Sequence, residues 1–115
     1  MSRNTVPLLL DHGILQVGDV LEVDRESFRN SEKVPSVKIE ACTDDESFWR
    51  CQITERTTKD QKVKYLQNNR YYRLTPLTTL IAERLGAEDY NPRAVDYWLH
   101  PQHGDMSLWK IREQL

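Results

Sequence analysis

The sequence predicts an α+β domain: a small, mostly antiparallel sheet of five or six strands, with one central helix and short helices at both termini. Two patterns support this fold class. Short segments in which apolar and polar residues alternate are separated by turn residues, as in antiparallel sheets. One stretch, Thr75 to Gly86, carries a complete set of helix signals. The length of 115 residues is that of one domain, so we expect residues 1–115 to share a single core.

The central helix is predicted by agreement between its start, its apolar face and its end. Thr75 is a favourable N-cap, and Pro76 suits the first helical position, where a missing N–H has no consequence. Gly86 suits the left-handed position that follows a helix C-terminus. Four apolar side chains recur at helical spacing and predict a buried stripe: Leu77, Leu80, Ile81 and Leu85.

The residues before this helix predict a β-hairpin. Lys62–Leu66 alternates lysines with apolar residues, and Arg70–Leu74 has the aromatic content of a strand. Gln67-Asn68-Asn69 joins the two segments, and asparagine tolerates the positive φ that tight turns require. We therefore expect the hairpin to lead directly into the central helix.

The first part of the chain predicts four further segments. A short helix from Thr5 to His12 is ended by Gly13, and it is too short to be stable unless it docks on other elements. A strand follows from Asp19 to Asp24. Arg25–Lys33 is polar without a clear period and predicts a surface loop. Ser36–Cys42 predicts a strand, because its apolar residues alternate with polar ones.

The middle of the chain predicts a turn and a two-faced strand. The acidic run Asp44-Asp45-Glu46 is typical of a solvated turn. Phe48–Thr54 then predicts a strand. Its two faces carry Trp49, Cys51 and Ile53 on one side and Phe48, Arg50 and Gln52 on the other.

The C-terminal segment predicts a last strand and a terminal helix. Ala94–His100 alternates β-branched and aromatic residues with polar ones, although Asn91-Pro92 also fits the start of a helix. His100–Asp105 is turn material. Ser107 is expected to cap a helix whose apolar positions are Leu108, Ile111 and Leu115.

The composition limits the class of protein. No apolar run approaches the ~20 residues that span a bilayer. Leu8-Leu9-Leu10 is too short for a signal-peptide core, so we expect a cytoplasmic protein without membrane contact. Cys42 and Cys51 each lie in an apolar alternation, which favours free buried thiols over a disulfide.

Catalytic and metal-binding motifs are absent from the sequence. It contains no nucleophile elbow, phosphate-binding glycine loop or zinc-protease motif. The three histidines, His12, His100 and His103, form a poor zinc set with Cys42 and Cys51, because structural zinc sites take paired cysteines from one tight turn. We therefore expect no metal, no cofactor and no enzymatic activity.

Charge is distributed unevenly along the chain. The net charge is −2, which argues against a strongly electrostatic nucleic-acid binder. However, the segment Arg56–Arg73 contains six basic residues and one acidic residue, so the remainder of the chain is acidic. Basic side chains and tyrosines interleave here, as expected for phosphate contacts combined with stacking. They are Lys62, Lys64, Tyr65, Arg70, Tyr71, Tyr72 and Arg73.

The same pattern has a structural interpretation. The tyrosines can cover the core while the lysines solvate the outer face of an edge hairpin and block aggregation. Trp98 and Trp109 carry the same ambiguity, since tryptophan is common both in cores and in binding pockets. The overall acidity favours a second functional class, a protein-interaction module with no nucleic-acid role.

The order of several segments resembles the RAMA domain, a small module associated with restriction enzymes and adenine methylases. Leu8–Val23 (LLLDHGILQVGDVLEV) resembles its opening helix, glycine turn and first strand, and Phe48–Ile53 (FWRCQI) its second strand. Tyr71–Gly86 (YYRLTPLTTLIAERLG) is similar to its tyrosine, capped helix and closing glycine. Ala94–Leu115 (AVDYWLHPQHGDMSLWKIREQL) resembles its tryptophan-bearing last strand, glycine turn and short helix. Arg25–Ser47 then corresponds to an insertion or a mobile loop.

The resemblance implies a non-catalytic DNA-binding module, proposed to read modified bases in restriction or chromatin settings. We expect duplex DNA to lie across the Lys62–Arg73 hairpin and the helix N-terminus at Thr75, where free N–H groups of Leu77 and Thr78 add an anion site. A separate restriction or modification enzyme is a candidate partner, in a restriction-modification or phage-defence context. The expected phosphate contacts are Lys62, Lys64, Arg70 and Arg73, and the expected base pocket is Tyr71, Tyr72 and Trp98.

Overall fold

The computed structural model describes residues 4–29, 34–42, 44–87 and 93–115. Within these residues the chain forms one antiparallel sheet covered by short helices and one longer helix, which confirms the predicted α+β class. The strands are Val20–Val23 (β1), Arg50–Gln52 (β2), Lys62–Tyr65 (β3), Arg70–Arg73 (β4), Trp98–His100 (β5) and Met106–Ser107 (β6). The helices are Thr5–Asp11 (α1), Arg25–Arg29 (α2), Ser36–Cys42 (α3), Glu55–Asp60 (α4), Leu74–Arg84 (α5), Ala94–Tyr97 (α6) and Leu108–Glu113 (α7).

The strand order in the sheet is β4-β3-β2-β1-β5-β6, so the predicted hairpin of β3 and β4 forms one edge. Residues directly opposite each other in an antiparallel pair point to the same face, and neighbours along a strand point to opposite faces. The pairing of Leu21 with Cys51, and of Cys51 with Tyr65, therefore defines a core face, on which all three side chains are fully buried. The other face, here called the outer face, carries the charged side chains of β1, β2 and β3.

Helix α5 packs on the core face, as its apolar stripe predicts. Leu77, Ile81 and Leu85 are fully buried. Nε1 of Trp98 donates a 2.8 Å hydrogen bond to Oγ1 of Thr78, which joins α5 to β5 inside the core. Leu80 is only half-buried, so the predicted stripe is one residue narrower than expected.

The start of α5 differs from the prediction. The helix begins at Leu74 with Arg73 as its N-cap, so Thr75 is not the cap and Pro76 occupies the third helical position. Leu74 is buried, and the chain passes at this residue from β4 directly into α5 without an intervening turn. A proline is tolerated anywhere in the first turn, because those N–H groups have no partner within the helix. Gly86 follows the helix with φ +86°, as expected.

Two predictions in the first half of the chain are wrong. Arg25–Arg29 is helix α2 and not a loop, because the Asp24 carboxylate accepts hydrogen bonds from the amides of Glu26 and Ser27 and so caps the helix. Phe28 anchors this helix in the core. Residues 30–33 and 43 of the predicted loop and insertion lie outside the described part of the chain.

Ser36–Cys42 is helix α3 and not a strand. The alternating apolar residues do not share one environment: Ile39 is buried, whereas Val37 is 71% exposed. The alternation therefore does not mark a strand face. Ile39 is buried in the core, and the carbonyl oxygen of Cys42 accepts a 2.8 Å hydrogen bond from Nε1 of Trp49, so both residues hold the helix in place.

The strand predicted over Phe48–Thr54 is shorter than expected. Glu46–Trp49 forms a 3-10 turn, and β2 begins only at Arg50. Phe48, predicted on the face of Arg50 and Gln52, is buried, and its ring centroid lies 4.9 Å from that of Trp49. Trp49, Cys51 and Ile53, predicted to share the other face, are all fully buried.

The strand predicted over Ala94–His100 is half correct. Ala94–Tyr97 forms the helical turn α6, and only Trp98–His100 is strand. A helix not expected from the sequence, α4, follows β2. It is started by a reciprocal cap, in which the Thr54 hydroxyl accepts from the Arg56 amide and the Thr57 hydroxyl accepts from the Thr54 amide.

The terminal helices α1 and α7 are confirmed and pack against each other. Oγ of Ser107 accepts a hydrogen bond from the Lys110 amide, as the predicted cap requires. Nη1 of Arg112 donates a 2.9 Å hydrogen bond to Oγ1 of Thr5, which connects the two helices. Among the described residues, no helix is long and apolar enough to cross a membrane.

Candidate nucleic-acid interface

The hairpin register sorts the predicted binding residues onto two faces. Lys62 lies opposite Arg73, and Lys64 lies opposite Tyr71. These four residues share the outer face. Together they are called the basic face below. Arg70 is paired with the buried Tyr65 and so belongs to the other side of the hairpin, which separates it from the other three predicted phosphate ligands.

The cations of the basic face are available to a ligand. Within the described residues, the side chains of Lys62, Lys64 and Arg73 make no ion pair or hydrogen bond; Arg73 is exposed, and the two lysines are partly exposed. Two arginines elsewhere are engaged by carboxylates: Arg50 lies 2.7 Å from Glu22, and Arg29 lies 2.7 Å from Glu26. In contrast, three cations without an ion-pair partner share one face of the edge hairpin.

Arg56 extends the basic face. Its guanidinium lies 4.5 Å from the ring centroid of Tyr71, a cation–π contact, and 3.0 Å from the carboxylate of Asp60. Desolvation alone would raise the pKa of Asp60, but hydrogen bonds from Arg56 and from the Lys62 amide hold that pKa below its usual value. Asp60 therefore stays ionised and neutralises Arg56 in part, so the free charge of this surface comes from the lysines and Arg73.

The predicted base pocket does not exist as one site. Tyr71 and Tyr72 are consecutive residues of a strand and point to opposite faces. Trp98 is fully buried, with its indole N–H committed to Thr78. The hydroxyl of Tyr72 accepts a 2.9 Å hydrogen bond from Nδ2 of Asn68, on the side away from the basic face. Only Tyr71 can take part in a contact made by the basic face.

Tyr72 instead lines a groove between β4 and α5. This groove has a volume of about 940 Å³ and combines apolar and charged side chains. Its apolar residues are Tyr72, Pro76 and Leu80, and its charged residues are Arg70, Glu83 and Arg84. The half-burial of Leu80 is explained by its place in this groove.

A second concavity, of about 500 Å³, lies at the start of α5 and is called the arginine cleft below. It is lined by Arg73, Arg93 and Arg112, by Trp109 and by the first turn of α5, including Thr75. Thr75 thus faces a cationic site, although it does not cap the helix. The anion site expected at the amides of Leu77 and Thr78 is wrong, because α5 begins at Leu74 and these two residues lie beyond its free N–H groups. The free amides of the first turn belong to Leu74 and Thr75.

Sequence reasoning missed Arg93 and Arg112 as site residues. Arg93 precedes α6 and Arg112 lies in α7, so no spacing in the sequence relates them to Arg73. Trp109 was ambiguous between core and pocket, and the structure places it half-exposed at the cleft. The segment 88–92, just before Arg93, lies outside the described residues.

The cysteines and histidines do not converge on one site. Cys51 is fully buried, and this burial raises the pKa of its thiol; Cys42 is half-buried. His100 is buried beside Asp19, whereas His12 is exposed. The described part of the chain contains no group of three or more histidine, cysteine or acidic side chains placed to hold a metal ion.

Comparisons of the chain with models of protein families, with curated proteins and with solved structures give no match. The resemblance to the RAMA domain therefore stays a prediction from the sequence. The functional proposals below are argued from the geometry of the basic face and of the arginine cleft.

Proposed function

We propose that this chain is a non-catalytic module that binds duplex DNA through the basic face. One observation carries the proposal: the hairpin register places three unpaired cations, Lys62, Lys64 and Arg73, on the same side of an edge hairpin. Lysine and arginine bind phosphates by charge and by hydrogen bonds. The resemblance adds the setting: restriction-modification or phage defence in the cytoplasm, beside a separate restriction or modification enzyme.

The charge distribution determines the strength of the expected interaction. Outside Arg56–Arg73 the chain is acidic, and its net charge is −2, so long-range attraction to DNA is weak. Binding is expected in the range of non-specific complexes, with a Kd of about 10⁻⁴–10⁻⁶ M at physiological salt. Three phosphate contacts predict about a 40-fold loss of affinity between 50 and 200 mM salt, from the slope of roughly −0.9 per contact.

The test is a titration of a labelled duplex at both salt concentrations, followed by fluorescence anisotropy. Lys64→Glu removes one contact and adds repulsion, so it should weaken binding to all sequences alike. Lys38→Glu is the control with the same change of charge, because Lys38 is an exposed lysine that lies beside Gly86, at the other end of α5. Wild-type protein that does not bind at 50 mM salt, or two variants that bind alike, would contradict the proposal.

Base recognition is the second part of the proposal. Tyr71 is the aromatic side chain of the basic face and the candidate for contact with a base, modified or not. Tyr71→Ala should reduce any preference between methylated and unmethylated duplexes, measured in the same titration. Tyr72→Ala is the control, since Tyr72 points to the opposite side of the hairpin. A preference that survives Tyr71→Ala would assign base reading to other residues.

A protein-interaction module is the second candidate function, and the groove between β4 and α5 favours it. β4 is an edge strand, and an edge strand can accept an extended peptide as an additional strand. Leu80 and Tyr72 offer apolar contacts along such a peptide. The absence of duplex binding at 50 mM salt would leave this function as the better supported one.

A further inference from the structure

The arginine cleft has the composition of an anion site. Three arginines from separate parts of the chain line it, Arg73, Arg93 and Arg112, and its described lining contains no aspartate or glutamate. Arginine is the residue best suited to a phosphate, because its planar guanidinium forms two parallel hydrogen bonds to it. Three such groups around one cavity, without a neutralising carboxylate in the wall, favour a ligand that carries more than one negative charge.

Two of these arginines are held in place before a ligand arrives. Arg112 donates to Oγ1 of Thr5 at 2.9 Å, which leaves most of its five N–H donors free. Arg93 lies 3.8 Å from the ring centroid of Trp109 and Arg112 lies 5.3 Å from it. The ion pair of Arg93 with Asp96, at 3.9 Å, is exposed and therefore weak. Cations that are already ordered lose little side-chain entropy on binding.

Trp109 lines the cleft and carries the guanidinium of Arg93 over its ring. Of the three tryptophans, Trp49 and Trp98 are fully buried, whereas Trp109 is half-exposed where it lines the cleft. The guanidinium of Arg93 lies over this ring, 3.8 Å from its centroid. Both aromatic rings and guanidinium planes stack on nucleobases, so a base can stack on Arg93 where it covers Trp109. The volume of about 500 Å³ is typical of a small-molecule site rather than of a surface for a duplex.

We propose that the arginine cleft binds a nucleoside phosphate, with the phosphate held by the arginines and the base lying against Arg93 and Trp109. The same chemistry is present in a free mononucleotide and in the terminal nucleotide of a strand with a 5′-phosphate. The site does not require duplex binding by the basic face, although Arg73 lines the cleft as well.

The first experiment uses deoxyadenosine 5′-monophosphate as the probe, with isothermal calorimetry and tryptophan fluorescence as readouts. We expect saturable binding, with quenching that is lost in Trp109→Phe. Deoxyadenosine and inorganic phosphate should each bind at least tenfold more weakly, because each lacks half of the ligand. Short single strands with and without a 5′-phosphate distinguish the two sources: a preference for the phosphorylated strand assigns a strand end, and equal weak binding of both assigns a free nucleotide.

The second experiment uses variants. Arg93→Gln and Arg112→Gln each remove one charged donor and should weaken nucleotide binding about tenfold or more. Arg29→Gln is the control, because Arg29 is exposed on α2 and does not line the cleft. Lys64→Glu should weaken duplex binding but leave nucleotide binding unchanged, which separates this site from the basic face. Wild-type protein that does not bind the nucleotide at millimolar concentration, or cleft variants that bind like the Arg29→Gln control, would overturn the proposal.

Discussion

Nε2 of His100 lies 3.1 Å from Oδ2 of Asp19 and joins β5 to the loop before β1. The same nitrogen lies 3.2 Å from the carbonyl oxygen of Ile14. Since both neighbours are acceptors, Nε2 carries the proton. Nδ1 is buried without a hydrogen-bond partner among the described residues. The hydrogen bonds of the His100 ring therefore all run through Nε2, the nitrogen that faces both acceptors.

The first prediction concerns this pair. His100→Ala should lower the free energy of unfolding by about 2–4 kcal/mol, because it leaves a cavity and removes the donor to two acceptors. Asp19→Asn should lower the free energy of unfolding by less than about 1 kcal/mol, because its amide oxygen can still accept the hydrogen bond. The substitution only weakens that bond from a charge-assisted one to a neutral one. Urea unfolding of both variants shows which of the two loses more stability. Equal losses would show that the hydrogen bond to the Asp19 carboxylate, and not the packing of the ring, dominates.

The second prediction concerns the width of the buried face of α5. Leu77→Ala should lower the free energy of unfolding by about 2–5 kcal/mol, because Leu77 is fully buried. Leu80→Ala should cost less, because Leu80 is half-exposed in the groove beside β4. Thermal melts of the two variants beside wild type provide the comparison. A Leu80→Ala protein whose melting temperature equals or falls below that of Leu77→Ala would place Leu80 in the core, against the structure.

The third prediction concerns alkaline pH. Burial raises the pKa of the Cys51 thiol above its ordinary value of 9.0 and that of the Tyr65 hydroxyl above 10.0. The unfolded chain therefore releases these protons at a lower pH than the folded chain does. The stability that they contribute is complete below about pH 9 and falls as the pH rises further. Urea unfolding between pH 8 and pH 10.5 should show this loss, and Cys51→Ala should reduce it.

The same burial predicts different thiol reactivities. Only the thiolate reacts with iodoacetamide, and Cys51 is both protonated and inaccessible in the native state. At pH 8 the half-buried Cys42 should be alkylated before Cys51, and Cys51 should react only after unfolding in denaturant. Peptide mapping by mass spectrometry identifies the modified residue. Early alkylation of Cys51 in the native protein would contradict its burial.

The fourth prediction concerns the end of α5. Gly86 has φ +86°, a conformation that costs an L-residue about 1–2 kcal/mol. Space is not limiting, because an added Cβ would lie 3.6 Å from Cδ of Pro35, an ordinary contact. Gly86→Ala should therefore destabilise the protein by about 1 kcal/mol, and Gly86→Asn by less, since asparagine tolerates this region better. Chemical denaturation measures both, and a Gly86→Ala protein as stable as wild type would rule out strain at this position.

The hairpin and α5 could be predicted from the sequence because their signals are local. Alternation in Lys62–Tyr65, asparagines at the turn and helical spacing in Leu77, Ile81 and Leu85 all act within a few residues. The turn is confirmed by the positive φ of Asn69, +58°. The predicted start of α5 is two residues late because Thr75-Pro76 matches a favoured cap, whereas the helix begins at the buried Leu74.

Helices α2, α3 and α6 could not be predicted, because tertiary contacts override weak local preference in short segments. In α2 the only strong local signal is its cap, Asp24, and the strand pattern assigns this residue to the end of the preceding strand. Phe28 holds this helix in the core through an edge contact with the ring of Tyr97, 5.0 Å between centroids. That contact joins residues far apart in sequence, so no window of the chain contains it.

The candidate site could be predicted in part. The charged hairpin residues were evident, and the register that divides them between two faces follows from the turn once the pairing is known. The base pocket failed because resemblance grouped Tyr71 with Tyr72 although strand geometry separates neighbours. The arginine cleft had no signal, since Arg73, Arg93 and Arg112 meet only in the folded chain.

The hydrogen bond between Arg112 and Thr5 spans 107 residues of sequence. Helix α1 has seven residues and is too short to be stable alone in water, so its packing against α7 contributes to its stability. A contact across so long a stretch of sequence can form only after both helices have been synthesised. The arginine cleft takes Thr5 from α1 and Arg112 from α7, so its wall is complete only when these two helices are docked on each other.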